Sequence, residues 1–213
     1  MTCCLNCTQM TSFKAALAQR FSEENITKID EVSQYNIDIL LVKTHFDRDF
    51  TLLTTSGLSA YQMPFREEEN NAPHIELCFA LPSYWDLTFT NENSSWVIEK
   101  MKFLVDFVLT KKTHFWDGHT MPNANPNGPF SNSMKQNHLF FSKAILYENE
   151  LNTFEVEGKT VHLIFLIPLF QKELEHKFSR GIMAIKRKLA ASNHCEILDD
   201  FREVVIKKRF GIL

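Results

Sequence analysis

Glycine is scarce in this sequence, and its scarcity excludes two large classes of nucleotide-binding enzyme. The 213 residues include only six glycines, and all of them are far apart. Both the G-x-G-x-x-G turn and the loop G-x-x-x-x-G-K-[ST] need closely spaced glycines to bring the backbone near a phosphate. Neither motif occurs, so ATP, GTP and dinucleotide enzymes of these classes are excluded, while other nucleotide sites stay open.

Cysteines are also few, and their spacing suits neither a disulfide framework nor a metal site. The chain has five of them, which does not make a disulfide scaffold in a protein of this size. Cys3, Cys4 and Cys7 form a cluster, but a zinc site needs a fourth ligand and usually a second pair. Cys78 lies in an apolar strand pattern and is interpreted as a small buried hydrophobe. We expect no metal and no cofactor.

Long apolar runs and a basic stripe are missing as well. The longest apolar run, Leu163–Leu169, has the length of a strand, whereas a membrane-spanning helix needs about 20 apolar residues. The N-terminus lacks the charged start followed by an apolar run that is typical of a secretory signal. The net charge is −3, and the basic residues are dispersed apart from Lys207–Arg209, which does not suit a nucleic-acid-binding protein. We expect a soluble cytoplasmic protein that binds neither membranes nor nucleic acid.

What the sequence does contain is enough apolar material for one sizeable core. Hydrophobic residues make up 44% of the chain and include 19 phenylalanines. A domain of this length typically buries roughly 70% of the surface of its unfolded chain. We predict a flexible N-terminal tail over residues 1–10 and a single domain over residues 11–213.

Apolar periodicity divides the chain into an irregular series of strands and helices. The continuous apolar character of Val161–Ile167 indicates a strand that is buried on both faces. Because strands and helices alternate irregularly, we predict an α/β (α+β) sandwich, a single domain with a mixed central β-sheet flanked by helices. The predicted helices are 11–21, 96–109 with Ser94 and Ser95 as caps, and 171–191 with Leu174, Phe178, Ile182, Ile185 and Leu189 on its apolar stripe and Gly181 at a kink or a close contact. The other predicted strands are 37–42, 50–55 and 75–81, and 139–147 is a further apolar segment.

Two short motifs resemble parts of catalytic signatures without completing them. His74-x-Glu76 matches half of a zinc-deaminase motif, but the P-C-x-x-C partner that supplies the thiolates is missing. We therefore interpret Glu76 as a buried carboxylate held by hydrogen-bonding partners. Residues 55–59 follow a strand as a nucleophile elbow would, but they do not fit G-x-S-x-G. This segment is interpreted as a strand end that turns at Gly57.

The segment Trp116–Thr120 leaves a catalytic alternative open. Asp117 and His119 could act as an acid–base pair, although Asp117-Gly118 is also ordinary turn chemistry. The turn is favoured because no nucleophile or second carboxylate is tied to the pair by spacing. The alternative function is a hydrolase, and it predicts a deep pocket that joins this loop to Glu76.

Several segments, in order, resemble the Suppressor of fused domain family. Their order and spacing over residues 37–205 carry the resemblance, since no single segment is specific. The segments are Thr51–Ser59 with Met63-Pro64, Ile75–Pro82 with Trp85, Trp96 at a helix start followed by Gly118-His119-Thr120, Val161–Leu169 with Glu173-Leu174 and Gly181, and Asp200–Arg202.

The resemblance implies an α/β sandwich and a function in protein binding. In animals the family member is a Hedgehog-pathway regulator that holds Gli-type transcription factors. Bacterial relatives are usually stand-alone domains, and many are thought to be immunity proteins that neutralise polymorphic toxins. This chain resembles the bacterial type, because it has no room for the animal protein's second domain. We expect a non-enzymatic protein-binding domain whose partner could be a toxin encoded nearby; an oligomeric structural protein is a third alternative.

The recognisable motifs are interpreted as scaffold, and two loops are predicted to make the partner contacts. Buried positions usually report packing, whereas loops carry binding residues. An acidic loop would speed association with a basic toxin site, and aromatic side chains are enriched at interface hot spots. The predicted scaffold residues are Gly57, Glu76, Pro82, Trp85, Trp96, Pro168, Glu173 and Gly181. The predicted contact residues are Arg66, Glu67, Glu68 and Glu69 in the loop Arg66–Asn71, and Phe115, Trp116, Asp117, His119 and Phe130 in the loop Thr113–Asn132.

Overall fold

The structure is a computed structural model that describes residues 12–64, 73–87, 92–123 and 128–206, without the side chains of Glu92 and Asn93. Three sequence predictions lie outside the described residues. They are the tail over residues 1–10, the acidic loop Arg66–Asn71 and the basic segment Lys207–Arg209.

A mixed sheet of eight strands forms the centre of the described part of the chain. The strands are β1 (Ile26–Val32), β2 (Ile37–Lys43), β3 (Phe50–Ser56), β4 (His74–Pro82), β5 (Thr120–Pro122), β6 (His138–Ser142), β7 (Thr153–Val156) and β8 (Lys159–Leu169). Their order is β1-β2-β3-β4-β8-β6-β5, and β7 also pairs with β8. β4 and β8 are parallel, and the other described pairs are antiparallel.

Helices cover both faces of this sheet. They are α1 (Phe13–Phe21), α2 (Glu92–Thr110), α3 (Glu148–Leu151), α4 (Gln171–Arg180) and α5 (Ile182–Ala191). On one face the core joins α1 and α5 to the sheet, with Phe13, Leu17 and Ile185 among the buried side chains. On the other face α2 contributes a buried stripe that includes Met101 and Val105. The three layers confirm the predicted sandwich.

Strand β8 is buried on both faces, as its continuous apolar sequence predicts. Leu163 and Phe165 join the core beneath α1 and α5, while Ile164 and Leu166 join the core beneath α2. One edge of β8 pairs with β4, and its other edge pairs first with β7 and then with β6. With both faces and both edges occupied, β8 is the central element of the fold.

The structure differs from the predicted helices in two places. The helix predicted over 171–191 is two helices, because Gly181 adopts φ 87° and ψ 169° between them. Phe178 does not join the apolar stripe of this region and is 70% exposed. Helix α2 begins at Glu92, so Ser94 and Ser95 lie inside it instead of capping it. The Ser94 hydroxyl donates a hydrogen bond to the carbonyl of Asp86.

A buried ion pair fixes the segment that follows α5. The carboxylate of Glu173 accepts two hydrogen bonds from the Arg202 guanidinium, at 2.6 and 2.7 Å. It also accepts the backbone N–H groups of Phe170 and Val205, at 3.0 and 2.9 Å. Arg202 donates in addition to the carbonyl of Pro168, at 2.7 Å. The pair therefore ties the end of β8, the start of α4 and the chain near Val205 together.

We predict that E173Q lowers the free energy of unfolding by about 3–5 kcal/mol, because it leaves the buried Arg202 without its counter-charge. The matched control is E175Q, two residues away on the same helix, where the carboxylate is exposed and accepts one bond from Gln171. That control should change stability by less than about 0.5 kcal/mol. Urea denaturation of both variants measures the difference, and equal effects would contradict the structural role given to Glu173.

Candidate protein-binding surface

Glu76 is fully buried and has its hydrogen-bonding capacity occupied by the turn after β3. Its carboxylate accepts hydroxyl protons from Thr55 and Ser59, at 2.6 and 2.7 Å. It also accepts the backbone N–H groups of Gly57, Leu58 and Ser59, at 2.9–3.2 Å. Burial raises the pKa of this carboxyl, while the bonds from Thr55, Ser59 and Gly57 oppose the rise. Glu76 therefore holds the turn that Gly57 begins with φ 122°.

Both predicted scaffold tryptophans pack in an aromatic cluster beside α2. The ring of Trp96 stacks on Phe130, with centroids 4.8 Å apart, and meets Phe79 and Trp85 edge to face at 5.5 and 6.4 Å. The indole N–H of Trp85 donates to the carbonyl of Ser94 at 3.2 Å. This cluster holds the start of α2 against the sheet.

The loop from Thr113 to Asn123 is tied to both β6 and α5. The N–H of Gly118 donates to the carbonyl of Phe141 at 2.8 Å. The Asp117 carboxylate accepts the Lys143 N–H at 3.0 Å and the Lys186 ammonium at 2.6 Å. Gly118 has φ 95°, and a Cβ there would lie 2.2 Å from the side chain of Ile182. The prediction of a turn at Asp117-Gly118 is confirmed, and the turn is held close to α5.

The described contact candidates divide into buried and partly exposed side chains. Phe115 and Phe130 are buried, so neither ring can reach a partner in this conformation. Trp116 is half-buried, and its ring meets His162 edge to face at 4.9 Å. Asp117 and His119 are also half-buried. The aromatic side chains of this loop therefore serve the protein's own core more than its surface.

The loop instead forms one wall of a small cavity that we call the basic recess. It has a volume of about 350 Å³ and contains three basic side chains, His114, His119 and Lys177. The two imidazole rings lie 5.0 Å apart between centroids. Burial lowers the pKa of His119, and the neighbouring His114 and Lys177 lower it further. The rest of the lining carries no ionisable side chain and consists of Phe107, Thr113, Phe115, Gly118, Thr120, Met121 and Phe141.

Exposed aromatic rings border the basic recess. Phe103, which is 45% exposed, lies 6.0 Å from Phe107 in the lining. Phe107 is followed inward by Phe115 at 6.2 Å, and Phe115 stacks on Phe141 at 4.4 Å. On the side of α4 the ring of Phe178 lies beside the Lys177 ammonium at 4.9 Å. Exposed rings around a charged cavity are typical of protein-binding surfaces.

A second exposed aromatic pair lies at the other end of α4. Tyr84 and Phe201 are exposed, and their ring centroids are 6.2 Å apart. Phe201 lines a cavity of about 640 Å³ that reaches from Lys135 to the first turn of α4 and to the buried Arg202. Its charged residues carry both signs, so its chemistry indicates no particular kind of partner.

The arrangement does not assemble the hydrolase alternative. Glu76 is not among the residues that line the basic recess, and its carboxylate is bound by the turn after β3. Asp117 pairs with Lys186, whereas His119 faces His114 and Lys177. In the described residues no group of three or more His, Cys, Asp or Glu side chains could hold a metal ion. No helix in that part of the chain combines the length and apolar character that a bilayer span requires.

Sequence reasoning missed Lys177, Phe103 and Phe178 as surface candidates. Phe178 fits the apolar spacing of a continuous helix, but its ring is exposed on α4, which ends at Arg180. Phe103 lies between the core positions Met101 and Leu104 in sequence. A helical projection of α2 could have separated it from the buried stripe.

We predict that E76Q lowers the free energy of unfolding by about 2–4 kcal/mol, because an amide cannot accept from all the donors that now surround the carboxylate. The matched control is E155Q on β7, where the exposed carboxylate accepts one bond from the hydroxyl of Thr160 at 2.8 Å. We expect that control to stay within about 0.5 kcal/mol of the parent protein. Urea unfolding followed by tryptophan fluorescence measures both, and an unchanged E76Q would show that the turn does not depend on Glu76.

Solved structures with this fold include both bacterial and animal proteins. A putative SUFU homolog from Neisseria gonorrhoeae FA 1090 superposes with a TM-score of 0.64 at 14% identity, covering 91% of this chain and 94% of that chain. A chain of the Sufu–Fu complex gives 0.60 at 14% identity over 90% of both chains. Drosophila Suppressor of Fused gives 0.63 at 15% identity over 91% of this chain and 50% of that one.

The family assignment comes from the sequence itself. No curated protein matches the chain. The model of the Suppressor of fused protein (SUFU) family matches residues 33–203, a range that includes all eight predicted scaffold residues and both predicted contact loops. The resemblance found in the motifs is thereby confirmed. This chain belongs to the Suppressor of fused family.

Proposed function

We propose that this protein is a stoichiometric protein-binding domain with no chemistry of its own. The observation that carries the proposal is that a chain of the Sufu–Fu complex has the same fold over 90% of both chains. A fold of this family is thus found in complex with a protein partner. Fold alone does not assign function, so the surface of this chain has to support the proposal independently.

Two exposed aromatic surfaces on α4 and its neighbours give that support. Phe178 beside the basic recess and Phe201 beside Tyr84 expose large rings to solvent. An exposed ring contributes little to the stability of the free protein, whereas rings buried at an interface dominate its energetics. Both surfaces lie on regular elements or on segments that buried carboxylates hold in place, so a partner would meet a rigid surface.

The more specific form of the proposal is a cytoplasmic immunity protein that neutralises a polymorphic toxin encoded nearby. The bacterial homolog supports only the bacterial stand-alone type on which this form rests, because this chain superposes over 94% of that chain. The acidic run Glu67–Glu69 supports it as well, because opposite charges accelerate association with a basic toxin site. A protein that acts by occupying such a site needs affinity and rapid association instead of catalytic groups.

Co-purification tests the proposal directly. In one experiment the tagged full chain is expressed from its own locus, cross-linked and purified with whatever protein it retains. In a second experiment it is co-expressed with the product of the neighbouring gene. We expect a 1:1 complex with a Kd of micromolar or tighter, and rescue of growth if the neighbour is a toxin. If no protein is retained at micromolar concentration, the binding function is contradicted. If a partner is retained but growth is unaffected, only the immunity role is contradicted.

A pair of phenylalanine variants separates binding from folding. We predict that F178A leaves the free energy of unfolding within about 0.5 kcal/mol of the parent, because the ring is exposed, yet weakens the complex about tenfold or more. F115A removes a buried ring and should cost about 3–5 kcal/mol of stability. Urea unfolding and isothermal titration with the captured partner give the two readouts. A complex unaffected by F178A would remove this face from the interface.

A further inference from the structure

We propose that the basic recess is a receptor for a carboxylate, carried by an aspartate or glutamate side chain of the protein partner next to an apolar residue. The inference rests on the proposed function and names the chemistry of the partner at one surface. The recess is defined by His114, His119 and Lys177 over a floor that includes Phe107, Phe115 and Phe141. The cavity beside Phe201 also has three basic side chains, but Asp200 and Glu203 line it as well, whereas the lining of the basic recess has no acidic residue.

The first argument is the sign of the charge in the recess. The whole chain is acidic, with a net charge of −3, yet the recess lining has no aspartate or glutamate. Among the described residues Lys177 takes part in no ion pair, whereas the half-buried Lys186 has Asp117 as its partner. A basic recess of this kind on an acidic protein is complementary to an anionic group and not to a cation.

The second argument is the cost of burying these groups without a counter-ion. Burial lowers the pKa of Lys177, and the charge of Lys177 in turn lowers the pKa of His119. A half-buried ammonium without a counter-ion is unfavourable, because the ring of Phe178 beside it replaces only part of its hydration. A bound carboxylate would be the counter-ion of Lys177 and would favour the charged form of His119.

The third argument is the apolar surface around the charges. The floor of stacked rings ends at the partly exposed Phe103 on one side, and Phe178 stands exposed on the other. The cavity of about 350 Å³ is at the lower end of the volumes of small-ligand pockets. It fits one side chain with its carboxylate, and the two rims can hold the apolar residues that flank it in a partner. This arrangement suits a protein segment more than a phosphate backbone, which offers no apolar side chains.

The recess also makes the binding sensitive to pH. The titratable groups that face His119 are His114 from its own loop and Lys177 from α4; α2, β5 and β6 contribute only apolar or uncharged side chains. Because the pKa of His119 lies below its ordinary value, this imidazole is neutral in the free protein at pH 7.5. A bound carboxylate favours the charged imidazolium, so binding takes up a proton and strengthens as the pH falls from 7.5 to 5.5.

The test uses the full chain and a probe with the proposed chemistry. The probe is 3-phenylpropionate, a carboxylate beside an aromatic ring, and 3-phenylpropionamide is its neutral control. Binding is followed by nuclear magnetic resonance of the His119 and Lys177 side chains at pH 7.5 and 5.5. The recess variant is K177M, and the matched control is K188M on α5, where the lysine is exposed and lies outside the lining of both surface cavities described above. A thermal unfolding midpoint for each variant checks that it is folded.

We expect 3-phenylpropionate to bind with a Kd of about 1–10 mM, at least threefold more tightly at pH 5.5 than at pH 7.5. The amide should bind at least tenfold more weakly. K177M should weaken the binding of the carboxylate at least tenfold, while K188M stays within about twofold. Equal binding of the amide, or no shift of the His119 and Lys177 signals at 20 mM probe, overturns the inference. Tighter binding of a single-stranded oligonucleotide at the same signals also overturns it, in favour of a phosphate ligand.

The captured partner separates failure of this inference from failure of the proposed function. If the partner binds and K177M weakens its binding at least tenfold relative to K188M, the inference is supported. If the partner binds K177M and K188M equally, the docking inference falls while protein binding stands. If no partner is retained but 3-phenylpropionate binds as described, the proposed function falls while the carboxylate site is supported.

Discussion

The carboxylates of Glu76, Glu173 and Glu196 accept hydrogen bonds from backbone that no helix or strand satisfies. Glu76 binds residues 57–59, and Glu196 binds the three N–H groups of residues 145–147 at 3.1–3.2 Å. Glu173 accepts the N–H groups of Phe170 and Val205 in addition to its ion pair with Arg202. Buried N–H groups must find acceptors, and a carboxylate, with two oxygens and several lone pairs, satisfies a whole turn at once. The irregular segments of this fold depend on these three side chains.

This constraint explains how an irregular chain presents a rigid surface. Glu173 fixes the start of α4 through Phe170, and Asp117 ties the loop before β5 to Lys186 on α5. Each wall of the basic recess is therefore anchored: the loop is tied to α5, and α4 is held at its start by Glu173. A surface that is ordered before binding loses little conformational entropy when a partner arrives. Stability and binding are thus linked through the buried polar contacts instead of through a flexible loop.

The sequence predicts the strands and helices whose buried faces give a clear period of apolar residues. It does not predict the elements in which charged residues interrupt that period. β8 is predictable because both of its faces are apolar. β1 is an edge strand in which Lys28, Asp30 and Glu31 interrupt the alternation, and Lys28 forms an ion pair with Glu31. Charged edges of this kind hinder sheet-to-sheet association, but they erase the signal of a strand. Gly181 is predicted to mark a kink or a close contact, yet the apolar period alone does not show that the helix divides there or that Phe178 lies outside the core.

The candidate site shows a different limit, since hydrophobicity does not distinguish a core ring from an interface ring. Phe115 and Phe103 have the same chemistry and belong to one series of ring contacts through Phe107. One end of the series is buried against Phe141 and the other is exposed. Only the packing of α2 against β6 decides which ring of the series is buried and which is exposed. Because each ring is held by the next, the exposed end is positioned by the core, and a partner that contacts Phe103 would meet a ring whose rotation is already restricted.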